Sequence, residues 1–518
     1  MKDSAQIIVV QASITDNVSN STGGGMSFSG TTNGTLDNCS ISNNIGSKGG
    51  GIAVHNSATP HITNGTISGN YATTAGGILI TDLAYPAFYN CTFNENSSGT
   101  SAGCILATDK SNGTFDSCTI TNNIAQNGTG GGFLLEDFTR TLIRKSVIHD
   151  NRAYSGGGLM VTSKDQLSIV DCSFHRNRAT LNGGAMTFDE ESRAIVTNGI
   201  CLENTANGRG GCISIQGIAQ PFITMDIQNN SAVIAGGGVY ASSNSMIKIF
   251  HSAIQNNHAS IGGGIFLSKT VRGYIEACNI QNNSAAVGGG GFLQGSGITM
   301  KHTKFTENNA VNGAGLSIEG TSIFLYLEHC VIENNQARDL GGGLYLTGTS
   351  LLPYGLPVNT IHDFNIESTS ISNNSATQGG GIFSTTKNPP VFGTGVSFTN
   401  NYADKMGAAI FISGAQYNGV RTLLESHKCI NNQISRGFLV LVSWISKFLA
   451  LLHFQFLIVI VTLNGVDVIQ HGTTCLTLTS LTNFVIPVAS QRILLSSLVT
   501  KTTMDLRHVY TRLPSILA

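Results

Sequence analysis

Charged side chains are scarce in this sequence, 11% of the chain, and the 28 basic and 29 acidic ones nearly cancel. A chain this close to neutrality has no field with which to gather nucleic acid or an anionic membrane surface, so neither is expected as an electrostatic partner. Proline is rarer, 9 in 518 residues, and no collagen-like period accompanies the glycine. The i, i+3, i+4, i+7 apolar spacing of a helix is missing from the first 435 residues, which excludes helical and leucine-rich solenoids. None of the 11 cysteines stands in a CxxC pair, so a structural zinc site is not expected.

What the chain has instead is glycine, 62 residues, and repetition. Phrases such as QNNSAAVGGGGFL (281–293), ENNQARDLGGGLYL and SNNSATQGGGIF recur along it. Aligned on the last asparagine of each polar cluster, the column reads Asn17, Asn44, Asn70, Asn96, Asn123, Asn151, Asn177, Asn204, Asn230, Asn257, Asn283, Asn308, Asn335, Asn374, Asn401 and Asn432. Apart from the steps into Asn374 and Asn432, the spacing is 25 to 28 residues. Three residues before each asparagine stands Ile or Phe (Ile41, Ile67, Phe93, Ile120, Ile148, Phe174), except at Cys201 and Cys429. Eight before it stands another apolar column, including Leu36, Ile62, Phe88, Phe115, Ile143, Ile169, Val196 and Phe222. After the glycines the pattern alternates, as in Ile52-Ala53-Val54.

Short period-2 runs bounded by Asn and Gly read as strands, three to a repeat. One such coil buries too few side chains, at about 1.5–3 kcal/mol each, to offset the roughly 1–2 kcal/mol of chain entropy per ordered residue. Stacking coil on coil supplies the missing burial. The expected fold is therefore all-β, a right-handed parallel β-helix of about 15–16 coils over residues 1–435. The asparagines are expected at a left-handed corner, their amides laddered from coil to coil. They are read as structural and not as ligands. The last glycine column (Gly25, Gly51, Gly77, Gly132, Gly158, Gly238 and their counterparts) admits only Gly, Ala or Cys. It reads as an inward corner with positive φ, not as a phosphate cradle, which needs a helix to follow.

Phe93-Asn94-Glu95-Asn96, Phe305-Thr306-Glu307-Asn308, Phe398-Thr399-Asn400-Asn401, and Phe174-His175-Arg176-Asn177 followed by Gly183-Gly184-Ala185-Met186 together resemble the polymorphic outer-membrane protein repeat of bacterial adhesins. That repeat belongs to the right-handed β-helix, pectin-lyase-like superfamily. The resemblance extends over residues 1–435 and implies a secreted or surface rod that adheres. Relatives of this kind carry a signal peptide and a C-terminal translocator barrel. Here MKDSAQIIVV lacks signal architecture, as if the text began inside a coil, and no barrel periodicity follows the rod. After Arg436 the repeat gives way to GFLVLVSWISKFLALLHFQFLIVIVTLNGV, long enough to span about 30 Å of hydrocarbon. Residues 436–464 are the candidate transmembrane helix, with 437–463 as the membrane contact and 465–518 a tail whose Arg492, Lys501, Arg507 and Arg512 would face the cytoplasm. The rival reading makes 436–518 an extension foreign to the rod.

The candidate sites are few. Asp82, Asp109, Asp137 and Glu190 share a register five residues beyond the glycine column, with Asp165 nearby and Glu136, Asp189 and Glu191 flanking. Stacked carboxylates could hold Ca²⁺ or divide acid and base roles; otherwise they are solvated loop tips. No other cofactor or metal is expected. His149 and His175 stack on neighbouring coils without an acidic partner in register and read as surface residues. Cys39, Cys91, Cys118, Cys172, Cys278 and Cys330, five before the ladder, read as small core residues. A Cys91–Cys118 bridge is disfavoured by parallel stacking. Twelve Asn-x-Ser/Thr sequons, among them Asn33, Asn64, Asn112 and Asn127, would suit a glycosylated exterior but arise readily in Asn-rich repeats. Between Gly343 and Asn374 the repeat swells by LTGTSLLPYGLPVNT, a candidate contact loop with Leu352 and Tyr354 at its tip. The leading expectation is a non-enzymatic, adhesin-like or structural rod at a cell surface or outside the cell, with a surface protein or carbohydrate as partner. The competing class is a polysaccharide lyase or glycoside hydrolase of the same fold.

Overall fold

The computed structural model describes residues 6–162, 164, 166–268, 271–320, 324–348, 364–386, 390–413, 428–434, 484–488 and 491–495. Leu352 and Tyr354 of the candidate contact loop, the carboxylate Asp165 and the apolar segment 436–464 lie outside them. From Gln6 to Ile434 every described element is a strand, and every strand pair is parallel. The one antiparallel pair is the hairpin Phe484–Val488 with Gln491–Leu495. No described helix is long and apolar enough to cross a membrane.

Each coil contributes to three faces. The first carries the two apolar columns that precede the asparagine. Leu36 pairs with Ile62, Ile62 with Phe88, Phe88 with Phe115 and Phe115 with Ile143, while Ile41, Ile67, Phe93, Ile120 and Ile148 run beside them. Between the columns the face bends at a residue of positive φ: Asn38, Asn64 and Asn90 (φ 53–54°) and, higher up, His251, His302 and His329. The second face is a two-residue step after the asparagine, as at Ile45–Gly46 and Tyr71–Ala72. The third is a sheet of 15 strands, from Met26–Phe28 to Ile410–Ile412, formed by the residues that follow the glycines. At about 4.8 Å per coil, these 15 strands make a rod on the order of 70 Å long. Alternate side chains of all three faces point inward into one continuous core, in which the rings of Phe88 and Phe115 stack at 4.9 Å. Cys39, Cys91, Cys118, Cys172, Cys278 and Cys330 are buried in it with free thiols. Burial pushes the thiols of Cys172, Cys278 and Cys330 up to about 11, so they stay protonated and inert near neutrality.

The asparagine ladder is unbroken from Asn17 to Asn432. Each side-chain Nδ2 donates to the Oδ1 of the next coil, at 2.9 Å from Asn17 to Asn44, 2.9 Å from Asn70 to Asn96 and 3.0 Å from Asn401 to Asn432. The same Oδ1 also accepts the backbone N–H of the coil before it, as Asn44 Oδ1 does from Asn17 at 3.0 Å. The second Nδ2 proton goes to the carbonyl of the apolar residue one coil back, Asn70 to Ile41 at 2.9 Å. A fully buried amide is thereby satisfied at both ends.

Three expectations need correction. The left-handed corner belongs to the residue before the ladder asparagine (Asn43, Gly69, Glu95, Asn122, Asp150; φ 55–63°), because the ladder residue needs its N–H and side chain aligned along the stack. Likewise, positive φ falls on the first glycine of each triplet, Gly49 (67°), Gly156 (62°) and Gly236 (66°), not on the last. At the last position size alone decides: a Cβ on Gly51 would stand 2.9 Å from the Gly77 carbonyl and 3.1 Å from the Asn70 amide. Phe222, placed in the core column from its spacing, points outward. Phe222–Gln228 runs straight through the bend, and the register shifts between Thr197 and Gly199, which puts Ile223 opposite Ile249 inside. A disulfide also appears where none was expected. Cys201 of the column three before Asn204 and Cys212 of the glycine column face each other across the corner, Cα to Cα 6.2 Å.

Candidate functional site

The predicted acidic row is real as geometry and has a backbone cause. Asn56–Ser57, Asp82–Leu83, Asp109–Lys110 and Asp137–Phe138 occupy the same turn in successive coils, with φ of 53–67° at both residues of each pair, and Glu190 follows at 52°. Two successive left-handed residues favour Asn or Asp at the first, so the acids suit the turn whatever else they do. The turns are tied together along the stack: Thr81 Oγ1 donates to Asp109 Oδ2 at 2.7 Å and Thr108 Oγ1 to Asp137 Oδ2 at 3.0 Å. They line an open groove of about 750 Å³ with Leu83 and Phe138. Behind it, burial and then the carboxylates of Asp137, Asp109 and Glu190 raise the Glu136 carboxyl above the usual range. Among the described residues no group of three or more His, Cys, Asp or Glu side chains converges on a metal position. Beside the row, Arg140, Gln166 and Arg193 stand in register on three adjacent coils. With the Lys164–Glu191 ion pair (3.2 Å) they line a depression of about 340 Å³.

His149 and His175 do stack in register, but the expectation that they lack an acidic partner fails. Asp150 Oδ2 lies 2.7 Å from His149 Nδ1, and both Asp150 oxygens accept from Arg176, at 3.0 and 2.9 Å. Spacing hid this partner because it comes from the corner residue, whose left-handed backbone swings the carboxylate back over the strand. Burial, then Arg176 and His149, hold the His175 imidazole below its ordinary value, and the Arg176 bond holds Asp150 low. The unfolded chain therefore takes up more protons than the folded one below about pH 6.5, the ordinary imidazole value, so stability falls as pH drops through that window. A second loss follows below about pH 3.9 as Asp150 titrates. Urea midpoints measured from pH 8 to pH 3 should show both steps, and His175→Gln should remove the first alone.

A richer cluster lies on the outward side of the first face, in the coils of Asn230 to Asn374. Inward positions there hold Ile223, Ile249, Ile275, Met300, Leu327 and Ile366, and the alternation of a strand sends their neighbours outward. One outward column runs Phe222, Lys248, Tyr274, Thr299, Tyr326, Asn365, and a second, two residues on, runs Phe250, Glu276, Lys301, Glu328, Glu367. Phe222 and Phe250 stack at 5.0 Å, and Phe250 meets Tyr274 at 5.5 Å. Lys301 Nζ bonds Glu328 at 2.6 Å and stands 5.8 Å from the Tyr326 ring centre. The Tyr326 hydroxyl donates to Glu367 at 2.9 Å. Carboxylate neighbours hold both phenols protonated, Glu367 above all at Tyr326, with Glu276 second to burial at Tyr274. At the adjoining bend the exposed rings of His302 and His329 lie parallel, 5.1 Å apart. A similar stack on the third face, Tyr240–Phe266–Phe292, is buried beside Ala235, Ile261 and Val287 and is ordinary packing. The first-face strip is half-exposed.

Stacked parallel strands on three faces about one core define a β-helix. The chain belongs to the family described as the right handed beta helix region, whose model matches residues 2–125, 103–208 and 197–352. No curated protein sequence matches it. Among solved structures it is similar to the Vag8–C1 inhibitor complex (9% identity, TM-score 0.35, 82% of this chain and 99% of that one). It is also similar to the periplasmic alginate epimerase AlgG (10%, 0.30, 80% and 78%) and to the A-module of the Azotobacter vinelandii mannuronan C-5 epimerase AlgE6 (10%, 0.20, 85% and 91%). Identities this low leave ligand and chemistry to be argued from the chain's own residues.

Proposed function

We propose that the protein is a non-enzymatic, adhesin-like rod, displayed at a cell surface or secreted, that binds carbohydrate along its outward aromatic strip. The observation that carries this reading is the half-exposed set Phe222, Phe250, Tyr274 and Tyr326, interleaved with Glu276, Lys301, Glu328 and Glu367. Aromatic surface beside oriented carboxylates suits sugars, which offer C–H faces to rings and hydroxyls to acceptors. The Cys201–Cys212 bridge supports an oxidising compartment. The competing lyase or hydrolase reading has one observation in its favour: Glu136, a carboxyl raised above the usual range by burial and acidic neighbours, in the same coil as Arg140. Incubating the purified protein with a panel of insoluble polysaccharides separates the two. Adhesion predicts that the protein is retained on at least one polymer with no reducing ends or unsaturated products released. Product release that is abolished by Glu136→Gln would establish the enzyme instead.

A further inference from the structure

Resting on the carbohydrate reading, the register of the strip says which carbohydrate. Phe222, Tyr274 and Tyr326 occupy one outward column in every second coil, with Lys248 and Thr299 between them. Two coils are about 9.6 Å, close to the length of a disaccharide unit in a fully extended 1,4-linked chain. Such a chain turns the same ring face toward the same side at every second sugar. The rod therefore offers one aromatic contact per disaccharide to a polymer laid parallel to its axis.

Charge narrows the class. Across the two columns Glu276, Glu328 and Glu367 outnumber two cations, Lys248 and Lys301, and Glu328 already neutralises Lys301 at 2.6 Å. Carboxylates stacked along the path repel a polyuronate or a sulfated chain and accept hydrogen bonds from neutral hydroxyls. Glu367 already accepts the Tyr326 hydroxyl, which fixes that ring. We infer that the ligand is a neutral, extended 1,4-linked polysaccharide running along the rod from Phe222 to Tyr326, with alternate sugars on the three rings.

The test is titration calorimetry of the full chain with 1,4-linked gluco-, manno- and xylo-oligosaccharides of two to eight units, and with oligogalacturonates of the same lengths. The inference predicts binding of a neutral series whose affinity rises in steps of two sugars and levels off near six. It also predicts that Tyr274→Ala weakens the longest ligand about 10-fold. Thr299→Trp, an outward and half-exposed position in the gap, should block the site while leaving the melting temperature unchanged, so loss of binding cannot be laid to unfolding. Preference for oligogalacturonate, or neutral binding that ignores both substitutions, overturns this inference and leaves the carbohydrate reading standing. Absence of binding to every saccharide and every insoluble polymer overturns both.

Discussion

Asn177→Leu, a change of similar volume in mid-rod, is expected to lower stability by about 3–5 kcal/mol. Asn177 donates its N–H and Nδ2 to Asn204 Oδ1 at 2.8 and 3.0 Å and a second Nδ2 proton to the Ile148 carbonyl at 2.8 Å. It accepts from the Asn151 N–H and Nδ2 at 3.1 and 3.0 Å. Leucine keeps the backbone N–H bond to Asn204 but deletes the four side-chain bonds, leaving buried donors on Asn151 and a buried acceptor on Ile148. Each orphan costs about 1–3 kcal/mol where water cannot reach it. The ladder also makes the penalty depend on position. Asn17, exposed in the first described coil, loses only its Nδ2 bond to Asn44, so Asn17→Ala is expected to cost under about 1 kcal/mol. Urea denaturation of both variants checks the contrast, since a solenoid's stability is close to a sum over coils and their interfaces. Equal losses at the two positions would refute the ladder as the account of this column.

The glycine corner carries the second large effect. A Cβ on Gly237 would fall on the Gly263 carbonyl and stand 2.5–2.6 Å from the oxygen and carbon of His258, backbone on both sides. No rotamer relieves such a contact, so Gly237→Val should force two coils apart and cost about 4 kcal/mol or more. One residue on, Gly238→Ala should cost less, about 1–2 kcal/mol: its Cβ would stand 2.7 Å from the Gly264 carbonyl, but that column already accommodates Ala185 and Cys212, both fully buried. Alanine does enter the tighter column at Ala314 and Ala408, where the step after the asparagine lengthens into Asn309–Asn312 and Tyr402–Met406. Calorimetric melting of the two variants distinguishes them. A mild Gly237→Val would mean that the corner has slack the structure does not contain.

The fold was legible because packing imposes the same demand every 25 to 28 residues: an inward apolar pair, a laddered amide, a corner without side chains. Spacing reports which columns exist. It does not report which residue of an Asn-Asn pair takes the left-handed corner, since both are asparagine and only the hydrogen bonds tell them apart. Nor does it mark a lost bend, and so spacing alone puts Phe222 in the core when a one-residue shift turns it outward. The acidic row was visible for the same reason as the core, because a turn repeats and its backbone favours Asn or Asp. The aromatic strip is hard to read from spacing because outward positions are unconstrained by packing. Its signal lies in Tyr274 and Tyr326, two repeats apart and one residue before the apolar column, whereas Phe222 is spaced as a core residue and joins them only through the lost bend. Disulfide pairing is invisible to spacing because Cys201 and Cys212 belong to different columns that meet only across the corner.

Side-chain oxidation by hydroxyl radicals, read by mass spectrometry with and without a saturating oligosaccharide, tests the placement of function on the outward strip most directly. Protection of Phe250, Tyr274 and Tyr326 by a neutral 1,4-linked hexasaccharide, with Tyr85 and Phe138 on the acidic side oxidised as before, is the predicted result. Protection confined to Phe138 and its neighbours, with the strip unchanged, would contradict it and move the site to the carboxylate groove.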